Sequence, residues 1–145
     1  MEAPVVEIER TIKADVATVW NAMIGKQSAL FPGTKVVTDW TVTHPITFSG
    51  EWNGKPFRDR GEIQSFTEKS ELSFTHWSEK EGKPDRPESY HLVRYDLQPD
   101  GKQTKVTLSQ FNLGKKTDID AKTKAEFEKT WGLMLDGLKK AAEAA

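Results

Sequence analysis

The hydrophobic period of this chain changes three times, and the order of those changes limits its fold more than any single motif. Val6, Ile8 and Ile12 alternate with polar neighbours, the period-two pattern of a half-buried strand. From Asp15 the period lengthens. Val16, Val19, Trp20, Met23 and Ile24 fall at i, i+3, i+4, i+7 and i+8, one apolar stripe of a helix, with Asp15 as its N-cap and Gly25 as its stop. A second short helix is predicted through Ser28-Ala29-Leu30-Phe31, ended by Pro32-Gly33. Period two then returns, in segments rich in Thr, Val and aromatics at 35–42, 46–52, 57–67, 71–78, 89–98 and 103–112. Asn53-Gly54 and Asp100-Gly101 favour tight hairpins between them, and Ser78 to Glu88 reads as a long polar loop. The last 26 or so residues are helical again, capped by Asp118 or Asp120, with Phe127, Trp131, Met134, Leu135, Leu138 and Ala142 on one face. Gly132 and Gly137 each weaken that helix by roughly 1 kcal/mol relative to Ala. Either another backbone or a ligand approaches closely there, or the glycines are tolerated on the surface.

Strands joined by short hairpins pair antiparallel, and helices gathered at the two ends pack on one face of the sheet. The expected fold is therefore one α+β domain spanning residues 1–145. A curved antiparallel sheet of six to seven strands wraps around a long C-terminal helix, with two short helices after the first strand. A sheet curled around a rod leaves space between them, which makes a cavity the first functional expectation.

Composition removes several alternatives. The formal charge is −1, which provides no electrostatic footprint for nucleic acid or an anionic membrane. With no Cys there is no disulfide, thiolate metal site or cysteine nucleophile. Five Trp and seven Phe supply a core, since each large aromatic can bury on the order of 150–250 Å². The opening Met-Glu-Ala-Pro lacks a basic stretch and a following apolar run, so a cytoplasmic protein without membrane insertion is expected. No phosphate-cradling loop, dinucleotide fingerprint or nucleophile elbow is present, and no cofactor is expected.

Several short motifs carry a resemblance. They are Gly50-Glu51-Trp52-Asn53-Gly54-Lys55-Pro56-Phe57, Asp59-Arg60-Gly61-Glu62-Ile63, Leu72-Ser73-Phe74-Thr75-His76-Trp77, Ser89-Tyr90-His91-Leu92-Val93 and Thr104-Lys105-Val106-Thr107-Leu108. With the element order, they make the chain similar to the START-like, birch-pollen-allergen-like (SRPBCC) superfamily. Within it the chain resembles the single-domain homologues of the heat-shock-protein ATPase activator, the AHSA-type group. The resemblance implies a helix-grip fold with a cavity between sheet and long helix. Its relatives bind lipids, hormones or polyketides, catalyse cyclisation and related reactions, or bind a chaperone, and the fold alone does not choose among these.

Alternation assigns the inward side chains. Phe57, Asp59, Gly61 and Ile63 share a face; so do His91, Val93, Tyr95 and Leu97, and Val106, Leu108, Gln110 and Asn112. A carboxylate at Asp59 facing an apolar interior is costly unless hydrogen-bonded. It is a candidate acid, base or anchor for a ligand's polar group, or else the partner of Lys55, Arg58 or Arg60 or simply exposed at the strand end. His91 pairs with Asp59 or Gln110 in this reading, while His76 fits either core or surface. The histidines at 44, 76 and 91 lack metal-ligand spacing, and no metal is expected. Trp40, Phe48, Trp52, Phe74, Phe111 and Trp131 are candidate apolar walls, with Asp59, His91, Gln110 and Tyr95 as further candidate ligand contacts. A binder of hydrophobic small molecules ranks first, a chaperone-interacting module second and a cyclase or hydratase third.

Overall fold

The computed structural model describes residues 3–145 except 32, 53, 79–81, 83 and 114–118, and of Trp52 the backbone alone. Strand β1 (Val6–Ile12) leads into helix α1 (Val16–Ile24), capped by the Asp15 carboxylate, which accepts the Thr18 N–H. Then come β2 (Lys35–Val37), β3 (Pro45–Trp52), β4 (Lys55–Thr67), β5 (Glu71–His76), a 3₁₀ turn at Pro87–Ser89, β6 (His91–Asp100) and β7 (Gln103–Asn112). The chain ends in α2 (Ala121–Glu143), whose 23 residues make a rod of about 35 Å. Asp120 caps it by accepting the Thr123 N–H, and Asp118 lies outside the described residues.

The seven strands form one antiparallel sheet in the order β1-β7-β6-β5-β4-β3-β2. Consecutive strands from β2 to β7 are neighbours, as short hairpins require. The segment holding α1 carries the chain from one sheet edge to the other. Helix α2 packs against β1 and α1, with Trp131, Leu135, Leu138 and Ala142 buried. Phe48, Ile63, Leu72, Phe74, Val93, Tyr95, Val106 and Leu108 fill the concave side of the sheet beneath the helices. This is the helix-grip α+β architecture.

Two local expectations are corrected. The stretch Ser28–Phe31 is irregular and bent, not a second helix. The Ser28 hydroxyl donates back to the Met23 carbonyl at 2.5 Å and accepts the Leu30 N–H at 3.3 Å, bonds that compete with helical ones. Leu30 and Phe31 are thereby turned into the core. The first long strand is also shorter than its pattern, stopping at Val37, because Trp40 and Thr43 take positive φ of 59° and 75°. At Gly132 the close neighbour is a side chain and not another backbone. An added Cβ would sit 3.2 Å from the guanidinium of Arg10, whose Nε donates to Asp136 at 2.9 Å.

Candidate functional site

The site begins with a bend in β4. At Gly61 a Cβ would lie 1.6 Å from the Thr75 carbonyl oxygen, so only glycine lets the backbone of β5 approach there. Regular pairing with β5 gives way on either side: Arg60 bridges Trp77, the Thr75 hydroxyl accepts the Glu62 N–H, and the register shifts between Ile63 and Ser65. This close approach brings the end of β5 across to Asp59. Asp59 is 4% exposed, and its Oδ2 lies 3.1 Å from Nε2 of His76, itself 7% exposed. The bond joins one carboxylate oxygen to one ring nitrogen and leaves the other atom of each group to be accounted for. Of the basic residues expected beside Asp59, Arg60 faces the other side of the sheet, pairs with Asp85 and lies 5.1 Å over the Trp77 ring. Lys55 and Arg58 are exposed.

Each member of this pair keeps one buried polar atom without a hydrogen-bond partner, Oδ1 of Asp59 and Nδ1 of His76. Trp20 Nε1 and Ser109 Oγ are unpaired as well, but each stands singly on its own element. Around the pair is a shell of rings. Phe31 stacks on Phe48 with centroids 4.3 Å apart and planes 14° from parallel. His76 meets both edge-on, at 5.5 Å and 5.6 Å. Trp131 of α2 stands edge-on to Phe31 at 5.7 Å and to His76 at 6.2 Å.

A second polar group lies where β6 and β7 pass under α2. The Trp131 indole can only donate, and its Nε1 reaches Oε1 of Gln110 at 2.5 Å. That orients the amide, so Nε2 of Gln110 faces His91 Nδ1 at 3.2 Å and Asn112 Oδ1 at 3.1 Å. His91 Nδ1 also lies 2.9 Å from Asn112 Oδ1, and its ring meets Phe127 edge-on at 5.3 Å. His91 therefore joins Gln110 and not Asp59, the alternative the sequence left open.

The remaining candidates fall in different places. Tyr95 is fully buried, its hydroxyl donating to the Leu30 carbonyl at 3.5 Å, and burial raises its pKa from 10.0. Trp40 is half-buried and joins Phe66 and Trp20 in a second ring group. The Trp52 side chain is outside the described residues, as is much of the long polar connection before β6. His44 is an exposed turn residue, bonded to Asp39 at 2.6 Å. Sequence reading missed Phe31 and the pairing of His76. For His76 a signal exists, since Leu72, Phe74 and His76 alternate inward along β5.

Two clefts of about 460 Å³ each lie elsewhere. One, on the outer face of the sheet, is lined by Glu62, Gln64, Thr75, Arg86, Tyr90 and Leu113 among others. Beside it the Tyr90 hydroxyl donates to Asp85 at 2.6 Å, and desolvation, followed by Asp85, raises its pKa. The other lies between α1 and the end of α2, lined largely by small side chains. Among the described residues no three His, Cys, Asp or Glu side chains converge as a metal set, and no helix is long and apolar enough to cross a membrane.

A family model described as Activator of Hsp90 ATPase homolog 1-like protein matches residues 13–143. The solution structure of ChR145 from Cytophaga hutchinsonii is 36% identical, with a TM-score of 0.78 over 99% of this chain and 97% of that one. MLL2253 from Mesorhizobium loti is 17% identical, with a TM-score of 0.74 over 97% of each chain. Ara h 8.0201 is 15% identical, with a TM-score of 0.69 over 95% of this chain and 93% of that one. These last two likenesses are of fold alone. No protein of curated function matches.

Proposed function

The chain belongs to the Activator of Hsp90 ATPase homolog 1-like family of START-like domains, and from that membership we propose that it binds a hydrophobic small molecule between sheet and long helix. The fold generally binds hydrophobic ligands. The observation that carries the reading for this chain is the Asp59–His76 pair, buried among aromatic rings with one unbonded atom on each partner. A buried polar group without a partner costs about 1–3 kcal/mol, so a pair that serves packing alone is better replaced by apolar side chains. A ligand donor on Asp59 Oδ1 or His76 Nδ1 offsets that cost. Phe48 and Trp131 form the apolar wall, while Gln110 and His91 act indirectly by fixing the Trp131 ring. Tyr95 supports the wall from beneath Leu30.

Mass spectrometry of the purified protein, native against denatured, tests this. The expected result is an extra mass lost on denaturation, and its loss from Asp59→Asn protein. Saturable Trp quenching by lipids or polyketide-like aromatics is the corresponding titration. No adduct and no saturable response would sink the reading.

The family's description favours a second reading, a chaperone-binding module, with the outer-face cleft beside Arg60, Asp85 and Tyr90 as its surface. Retention on a chaperone of the Hsp90 type together with stimulation of its ATPase is required for it. A proton-moving enzyme of the cyclase or hydratase kind ranks third, with His76 as the base and Asp59 orienting it. An activity unchanged by Asp59→Asn would exclude that mechanism.

A further inference from the structure

Phe31 differs from every ring it touches in how it is held. Phe48 sits on β3, Phe74 and His76 on β5, and Trp131 on α2, each fixed by regular backbone bonding. Phe31 sits on the irregular segment between α1 and β2. The described hydrogen bonds of that segment are mostly its own or run back to α1. Ala29 N–H donates to Ala22 O at 2.7 Å, Ser28 Oγ to Met23 O at 2.5 Å and Thr34 N–H to Phe31 O at 3.1 Å. The bond tying it to the concave sheet is the long one from the Tyr95 hydroxyl to Leu30 O, at 3.5 Å. Gly33 follows with φ of +72° and open space where a Cβ would be, a left-handed conformation that favours glycine.

The place Phe31 fills is also distinctive. Its ring lies nearly parallel to Phe48 at 4.3 Å, with the edges of His76 and Trp131 on its flanks. That is the offset-stacked and edge-to-face geometry that aromatic rings prefer. Phe48 is the cross-strand neighbour of Asp59, so the ring space adjoins the pair whose Oδ1 and Nδ1 are unbonded. Phe31 is a hydrocarbon and satisfies neither atom.

We infer that Phe31 is a removable plug: its side chain holds the place of a ligand's planar aromatic ring, and a hydroxyl or N–H on that ring bonds the open atoms of the Asp59–His76 pair. The inference rests on the small-molecule reading above and adds the ligand's chemical class and the step that admits it.

The test uses the full chain, wild type and Phe31→Ala, titrated with phenol and with benzene by calorimetry and by amide NMR shifts. Phe31→Ala is expected to bind phenol at least about tenfold more tightly than the wild type does, and at least about tenfold more tightly than it binds benzene, the order of one charge-assisted hydrogen bond. Adding Asp59→Asn is expected to remove the preference for phenol. A folded Phe31→Ala that binds phenol no better than wild type overturns the plug, and equal affinity for benzene overturns the role of the polar pair. Phe31→Leu, which keeps more of the core volume, repeats the comparison if the alanine variant does not fold. Should neither fold, Phe31 is a structural core residue and the inference fails. A native adduct on the wild type alongside any of these failures leaves the small-molecule reading standing, whereas its absence alongside success shows an open ring site whose natural occupant is not retained.

Discussion

Gln110 and Asp59 are both buried polar side chains on inward strand positions, yet the Gln110 amide is bonded at both ends, to Trp131 and to Asn112, while Asp59 leaves one carboxylate oxygen bare. The groups around Gln110 ask for nothing more. The Trp131 indole, the Gln110 amide and the His91 and Asn112 side chains close a network that pins α2 over β6 and β7. Such a network rigidifies a fold when it is complete. The Asp59–His76 pair is held just as firmly by backbone but is incomplete, and an incomplete buried pair opposes stability. Depth therefore does not separate structure from function in this interior. Satisfaction is the difference on which the proposed division rests, with the Gln110 group as architecture and the Asp59 pair as the binding group.

The largest perturbation is at the position that creates the pair. Gly61→Ala places a Cβ against the Thr75 carbonyl at 1.6 Å, and neither backbone can yield without breaking the β4–β5 register. We expect a loss of at least about 3 kcal/mol in denaturant unfolding, together with separation of Asp59 from His76. A variant of unchanged stability would show that the bend does not hold the pair. Next is Gln110→Ala, which strands the buried Trp131 N–H. About 2 kcal/mol of destabilisation is expected, read as a lower midpoint with unchanged m-value. If that variant kept full stability, the network would not be architectural and the contrast with Asp59 would collapse.

The helices and strands behind this contrast were legible because each buries one face. His91, Val93, Tyr95 and Leu97 alternate inward along β6 as period two requires, and Gln110 follows Leu108 on β7. The inward placement of Asp59, His91 and Gln110 followed from the same rule. Their partners did not. Asp59 meets a histidine 17 residues away only because Gly61 lets β5 close on β4, and Gln110 meets Trp131 only once α2 is laid across the sheet. Neither distance is a property of local pattern. The second helix failed for a related reason: Ser28 bonds the end of α1, and the apolar Leu30-Phe31 pair is drawn into the core, two tertiary effects that outweigh propensity.

Asp59→Asn sharpens the comparison from the other side. The amide keeps the shape and an acceptor for His76 Nε2, while the bare carboxylate oxygen is removed. Stability is expected to stay within about 1 kcal/mol of wild type, although ligand adduct and phenol preference are lost. A loss as large as that of Gln110→Ala would move Asp59 to the architectural side.

The smallest effect belongs to Tyr95, a polar group between these two extremes, buried but tied by one long bond. Tyr95→Phe is expected to cost about 0.5 kcal/mol at neutral pH, since a contact of 3.5 Å contributes little. Its signature lies in alkali. Burial raises the folded pKa above the ordinary 10.0, so the folded protein keeps this proton where the unfolded chain has released it. The stability tied to that proton is complete below pH 10 and declines as pH rises beyond it, by at most about 1.4 kcal/mol per pH unit for one group. Thermal midpoints measured upward from pH 9 should fall more shallowly in Tyr95→Phe than in wild type. Identical slopes would mean that Tyr95 ionises in place, and that the segment carrying Leu30 and Phe31 opens readily enough to hydrate it.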